Sequence, residues 1–215
     1  MMLRFDNVSK SFNKRKVLDG MSRNFPTGLY ALHGSNGIGK STLLAILAGI
    51  LAPDSGAIDI DGCSLLGSPE AAKAKLSFVP DDCPVYPFMR GRELLQFVAQ
   101  AKRVTVTQKV EDLIDQFGMR HYLDTRFGQM SLGTQKKMML AAAWIGEPSV
   151  LLLDEPSNGL DGATRDVLIA RLRDMGRNAV VLMSTHDADF ATAVGAEVIA
   201  FASLQGAGTP VGAAR

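Results

Sequence analysis

Cysteine is nearly missing from this chain. The two it has, Cys63 and Cys83, stand apart among 215 residues without the spacing of a metal knuckle. Redox and metal roles lose their usual carriers, and reduced thiols of a cytosolic protein are the expectation. An excess of one charge is missing as well: 23 Lys and Arg face 22 Asp and Glu. The electrostatic footprint of a nucleic-acid binder is therefore absent, and no nucleic-acid partner is expected. Long hydrophobic runs are also lacking. The longest, Leu43 to Ala52, is interrupted by Gly49 and is too short to cross a bilayer. Met1-Met2-Leu3-Arg4-Phe5-Asp6 is charged from the start and has no apolar core of signal-peptide length. The expectation is a soluble chain whose membrane role, if it has one, runs through a partner. There is no internal repeat and no N-K-x-D base-reading motif, which speaks against a P-loop GTPase.

What is present begins with glycine in one place. Gly34-Ser35-Asn36-Gly37-Ile38-Gly39-Lys40-Ser41 fits G-x-x-x-x-G-K-[ST], followed by Thr42. Leu29-Tyr30-Ala31-Leu32 before it reads as a strand. Leu43, Ile46, Leu47, Ile50 and Leu51 after it repeat at helical spacing. Strand, glycine loop and helix thus come in the order that phosphate binding needs. Backbone N–H groups and the helix N-terminus would face the phosphates. Lys40 would reach the β- and γ-phosphates, and Ser41 would offer a hydroxyl to Mg²⁺.

About 110 residues later, Val150-Leu151-Leu152-Leu153-Asp154-Glu155-Pro156 reads as a buried parallel strand that delivers two adjacent carboxylates. One can hold Mg²⁺ and the other can polarise water. The pair of motifs implies nucleoside triphosphate hydrolysis.

The remaining pattern frames these motifs. Leu3 and Phe5 alternate with charged neighbours, a second strand-like stretch runs from Val17 to Phe25, and a third covers Ala57–Ile60 before the turn Asp61-Gly62. These predict a small antiparallel sheet. Between Pro84 and Gly146 the pattern is helical. Leu94, Phe97, Val98 and Ala101 are expected to share one face. Val110, Leu113, Ile114 and Phe117 are expected to share another, with Thr107 as N-cap and Gly118 as stop, and a third helix runs from Ser131 to near Gly146. The parallel core resumes with strand 150–153, helix 161–175, strand 179–183, helix 187–194 and strand 197–201. The tail 206–215 reads as turn-like and frayed. The fold class is α/β: a P-loop NTPase core with a mostly parallel sheet, a small antiparallel β subdomain and an inserted helical subdomain at about 84–146.

The whole arrangement resembles the ATP-binding subunit of an ABC transporter, of a small stand-alone, exporter-like type. Phe12 sits where that family stacks an aromatic on adenine. Ser131 and Gly133 match the L-S-G-G-Q signature, while Leu132 and Thr134 depart from it. Asp154 resembles the Walker B ligand of Mg²⁺, Glu155 the catalytic base and His186 the H-loop residue that meets the γ-phosphate. Ser157-Asn158-Gly159-Leu160-Asp161 resembles the D-loop, whose Asp acts across a dimer. Asp81 falls where the family places a glutamine whose oxygen faces Mg²⁺; a carboxylate oxygen can take that place, and the change leans toward export.

The resemblance implies a single ATPase domain over 1–215, ATP and Mg²⁺ as ligands, and a head-to-tail dimer with itself or a related ATPase subunit. It also implies a separate transmembrane permease subunit and a cytoplasmic location on the inner face of the cell membrane. The alternative is a non-transport ABC ATPase acting on nucleic acid or ribosomes. Chromosome-type members place long coiled coils between P-loop and signature, whereas about 90 residues separate Lys40 from Ser131 here.

Overall fold

A computed structural model describes residues 1–13 and 15–205, so the tail expected to fray lies outside the described residues. Alternation at Leu3 and Phe5, shifted by an irregularity before Val8, produces β1 (Met2–Phe12), which pairs antiparallel with β2 (Arg15–Pro26). The chain then enters β3 (Gly28–His33), turns through the glycine loop and forms α1 (Lys40–Leu47). It returns as β4 (Ser55–Ile60), which pairs with β1, and β5 (Cys63–Ser64), completing a four-stranded sheet in the order β2-β1-β4-β5. Next come α2 (Pro69–Ala74) and β6 (Leu76–Val79). Three helices follow: α3 (Gly91–Ala101), α4 (Gln108–Gln116) and α5 (Leu132–Ala143). The last stretch alternates β7 (Val150–Asp154), α6 (Gly162–Met175), β8 (Val180–Ser184), α7 (Ala188–Val194) and β9 (Glu197–Ala200).

The second sheet has the order β6-β7-β8-β3-β9, and each of its pairings is parallel. Covered on both faces, β7 and β8 are buried at every position, which is why they read as continuous apolar runs. Their side chains alternate between two cores. Val150, Leu152, Val180 and Leu182 pack with α1 and the antiparallel sheet, whereas Leu151, Leu153, Val181 and Met183 pack with the helices α3–α6. The parallel sheet is therefore the shared wall, and its C-terminal edge is where ligands of such folds bind.

Several expectations are corrected. The helix after the glycine loop closes at Leu47, so Ile50 projects outward and is 70% exposed. On α3 the inward face is Gly91, Leu94, Leu95 and Ala99, and Phe97 is 60% exposed. Leu94 keeps the expected face, whereas Phe97 and Ala101, with Val98 between them, edge an open groove against α2. That helix and the edge strand β6 had no clear sequence signal, being six and four residues long. The last strand stops at Ala200, and Phe201 begins a 3-10 turn. As expected, Thr107 and Gly118 bracket α4. Among the described residues no helix is long and apolar enough to cross a membrane.

Candidate active site

The glycine loop is shaped by what surrounds it. Gly39, the residue before α1, has φ 117°, and a Cβ there would lie 3.0 Å from Val17 Cγ1. Both the backbone conformation and the approach of β2 require glycine. No acidic residue occupies the first turn of α1, so its N-terminal N–H groups and dipole remain available to an anion. Lys40 is buried, and its Nζ donates to the carbonyls of Gly34 at 2.8 Å and Ser35 at 3.1 Å. Those two carbonyls hold the ammonium inside the loop.

The carboxylate pair is set by β7 and β8. Asp154 and Ser184 are register partners, and the Ser184 hydroxyl donates to Asp154 Oδ1. Asp154 is 6% exposed, so this bond fixes the direction of its carboxylate. Glu155 follows at φ 46°, left-handed backbone that costs a non-glycine residue of order 1 kcal/mol or more. Its N–H donates to the Ser184 carbonyl at 3.1 Å, which anchors the turn. The turn aims Glu155 toward the glycine loop. Its Oε2 accepts from the His186 backbone N–H at 3.2 Å and lies 2.9 Å from His186 Nδ1.

These pieces meet in one cleft of ≈ 540 Å³. It brings together Phe12, Asn36, Gly37, Gly39, Lys40, Ser41, Thr42, Asp81, Glu155 and His186. Arg15, Val17 and Asn158, which sequence reasoning did not assign to the site, complete its wall. Gly34 and Ser35 act through Lys40 instead of lining the cleft. Phe12 is exposed at the side of the cleft, with Lys10 Nζ 5.7 Å from its ring centroid, so a π-face is available for stacking. Ser41 lines the cleft, whereas Asp154 does not and has Oδ1 engaged by Ser184; a hydroxyl and one remaining carboxylate oxygen would suit a Mg²⁺ that keeps waters and phosphate oxygens. Among the described residues no group of three or more His, Cys, Asp or Glu is gathered for a metal, so such an ion would depend on the nucleotide for much of its shell.

Ser131, Gly133 and Asp161 do not line this cleft. Ser131 caps α5, its Oγ accepting from the Thr134 N–H at 3.2 Å, and Leu132 beside it is 79% exposed. Asp161 caps α6, accepting from the Thr164 N–H at 2.9 Å, and also pairs with Lys137. The Lys137 ammonium, and then the Thr164 bonds, hold its carboxyl well below the usual range. Ser131 and Asp161 are exposed and Gly133 is half-buried, all three apart from the P-loop cleft of their own chain.

Lys136 is the residue near the site that the sequence hid. It is 4% exposed, and its Nζ donates to the carbonyls of Pro80 (2.8 Å), Asp154 (3.1 Å) and Asp81 (3.2 Å). Burial pushes its pKa down. In sequence, Lys136-Lys137 looks like an ordinary solvated helix face, and only its position one turn past Gly133 sets it apart.

The family model described as "ABC transporter" matches residues 18–158. Among similar curated proteins, "Nod factor export ATP-binding protein I" of Paraburkholderia xenovorans (strain LB400) is 33% identical over 189 residues, covering 86% of this chain and 62% of that protein. "Sulfate/thiosulfate import ATP-binding protein CysA" of Nephroselmis olivacea is 33% identical over 218 residues, covering 98% of this chain and 63% of that one. The chain thus spans less than two thirds of the length of these relatives. A solved structure, "Structure of ATP binding subunit of ABC transporter", superposes with a TM-score of 0.81 at 27% identity, covering 89% of this chain and 82% of that one. A family match over most of the chain, joined to a P-loop cleft closed by a carboxylate strand, establishes that the chain belongs to the ABC transporter family.

Proposed function

We propose that this chain binds ATP with Mg²⁺ and hydrolyses it to drive a separate membrane-spanning subunit. The observation that carries the reading is the aim of Glu155: its carboxylate faces the glycine loop across one cleft, beside His186. Phe12 takes the adenine, and the loop N–H groups, Lys40 and the α1 N-terminus take the phosphates. Ser41 and Asp154, with Asp81 nearby, would hold Mg²⁺, which would supply positive charge to offset that of the phosphates. Glu155 orients the attacking water and accepts its proton as the bond to the γ-phosphorus forms and the bond to the leaving ADP oxygen breaks. His186 gives up its contact with Glu155 and turns its ring toward the γ-phosphate.

Residues 1–215 are read as one ATPase domain whose helical insertion, about 84–146, contains α3 to α5. Ser131, Gly133 and Asp161, apart from their own chain's cleft, suit a head-to-tail dimer in which they complete the partner's site. Tyr86 and Phe88, exposed and stacked with ring centroids 5.4 Å apart, follow Asp81 and suit contact with the membrane subunit. That contact would keep the chain on the cytoplasmic face of the membrane. Relatives named for export and for import both match, so the reading concerns the motor, and the direction belongs to the membrane subunit. The lean toward export rests on Asp81 alone.

Glu155→Gln tests the reading. ATP binding should persist while steady-state turnover falls by roughly 10²–10⁴-fold, the usual worth of a general base. An ATP-bound dimer should accumulate on size-exclusion chromatography. Wild-type turnover in this variant would remove Glu155 from the mechanism.

A further inference from the structure

Buried lysines are rare because an ammonium loses several kcal/mol of hydration unless its donors are met. Lys136 meets all three of its donors with carbonyls from two different segments: Pro80 and Asp81 at the start of the loop after β6, and Asp154 at the end of β7. It stands on α5 one turn beyond Gly133, and Asp81 Oδ1 lies 3.7 Å from its Nζ. The same Asp81 oxygen accepts from Asn158 Nδ2 at 3.2 Å, in the turn that follows Glu155. One ammonium therefore joins the first turns of α5, the Asp81 loop and the carboxylate strand. Among the described residues it is also the cation paired with the added negative charge of Asp81.

We propose that Lys136 is a positioning residue for hydrolysis: it holds Asp81 and the Asp154–Glu155 turn in fixed relation to the signature turn of α5, and it offsets the Asp81 carboxylate. The inference rests on the ATPase reading above and deepens it. Lys136 does not line the cleft and acts through the backbone it grips. Its loss lets Asp154 and Asp81 drift, and displacements of about 1 Å at a reacting centre can cost on the order of a hundredfold in rate. Nucleotide affinity, set largely by the glycine loop, should change little.

Steady-state ATPase with MgATP is measured for wild type, Lys136→Met, Lys136→Arg, Asp81→Asn and the Lys136→Met/Asp81→Asn double variant. Lys136→Gln replaces Lys136→Met if the latter does not fold. Lys136→Met should lower kcat on the order of ten- to a hundredfold while KM stays within about threefold. Lys136→Arg should restore much of kcat, since it keeps the charge and the donors. The double variant should lose less than the product of the single losses, because the two side chains act as a pair. Wild-type kcat in Lys136→Met overturns the proposal, as does a loss that arginine does not repair and that multiplies independently with Asp81→Asn.

Glu155→Gln run in parallel separates the two readings. If wild type turns over ATP no faster than Glu155→Gln, the ATPase reading fails, and hydrogen exchange decides about Lys136. Faster amide exchange at 81–85 and 155–158 in Lys136→Met but not in Lys136→Arg supports the link, and unchanged exchange overturns it.

Discussion

Lys102 shows how a single charged residue can be held against its preference. Its Nζ donates to Ser77 Oγ at 2.7 Å under the α3 end of the groove, and burial pulls its pKa from 10.5 to about 8. Because the folded value lies below the unfolded one, the unfolded chain binds more protons between these pH values, and stability rises with pH across that window. Below about pH 8 the ammonium is carried at a cost. Lys102→Met removes the titration, so its stability relative to wild type should be highest at pH 7 and should decline as the pH approaches 10. After discounting for partial solvent contact, the change should be about 1 kcal/mol. Urea melts of both proteins at pH 7 and pH 10 read it directly. A difference independent of pH would mean that Lys102 titrates as it does in water.

At the scale of elements, the first turn of α5 carries two duties. A glycine at a helix N-terminus can let a phosphate approach closely, but in this fold Gly133 is already needed at home. A Cβ on Gly133 would lie 2.6 Å from the Gly159 carbonyl oxygen, in the turn between β7 and α6. Gly133→Ala must push that turn, and Glu155 and Asn158 lie at its start. The expected cost is about 1–3 kcal/mol, the range for overpacking a close contact, read as a lower melting temperature in the nucleotide-free protein. An unchanged melting temperature would leave phosphate approach as the sole reason for glycine there. The inward face of α3 is decided at this scale too. Phe97 fits an amphipathic stripe in sequence, and only the placement of α2 and β6 beside α3 shows it on the rim of an open groove.

At the scale of the whole molecule, the head-to-tail dimer proposed above would leave each chain with half of a shared site, completed by Ser131, Gly133 and Asp161 of its partner. Ser131→Arg should bind nucleotide and hydrolyse poorly. Lys40→Ala should fail at its own glycine loop. Mixed under conditions of subunit exchange, the two should recover part of the activity, because one of the two composite sites in the heterodimer is intact. Activity in the mixture no higher than in either variant alone would count against a shared site, with Ser131→Arg melting as wild type to confirm that the lost cap is tolerated.

The sequence by itself determined the chemistry-bearing strands and loops. Glycine loop and carboxylate strand are contiguous patterns, and contiguous patterns follow from local backbone demands: glycine for φ 117° at Gly39, an all-apolar run for a strand covered on both faces. The same holds for α4, whose cap and stop are one residue each. Only the tertiary structure decided what lies between those patterns. The grip of Lys136 on Pro80, Asp81 and Asp154 joins residues 18 to 56 positions apart. The Ser184 bond that aims Asp154 comes from strand register, and the need for glycine at 133 comes from a carbonyl 26 residues away. A lysine in a helix reads as solvated because most are, and its burial is settled by which loops fold over it. Such contacts depend on register and on the docking of separate segments, for which no local spacing in the chain provides a code.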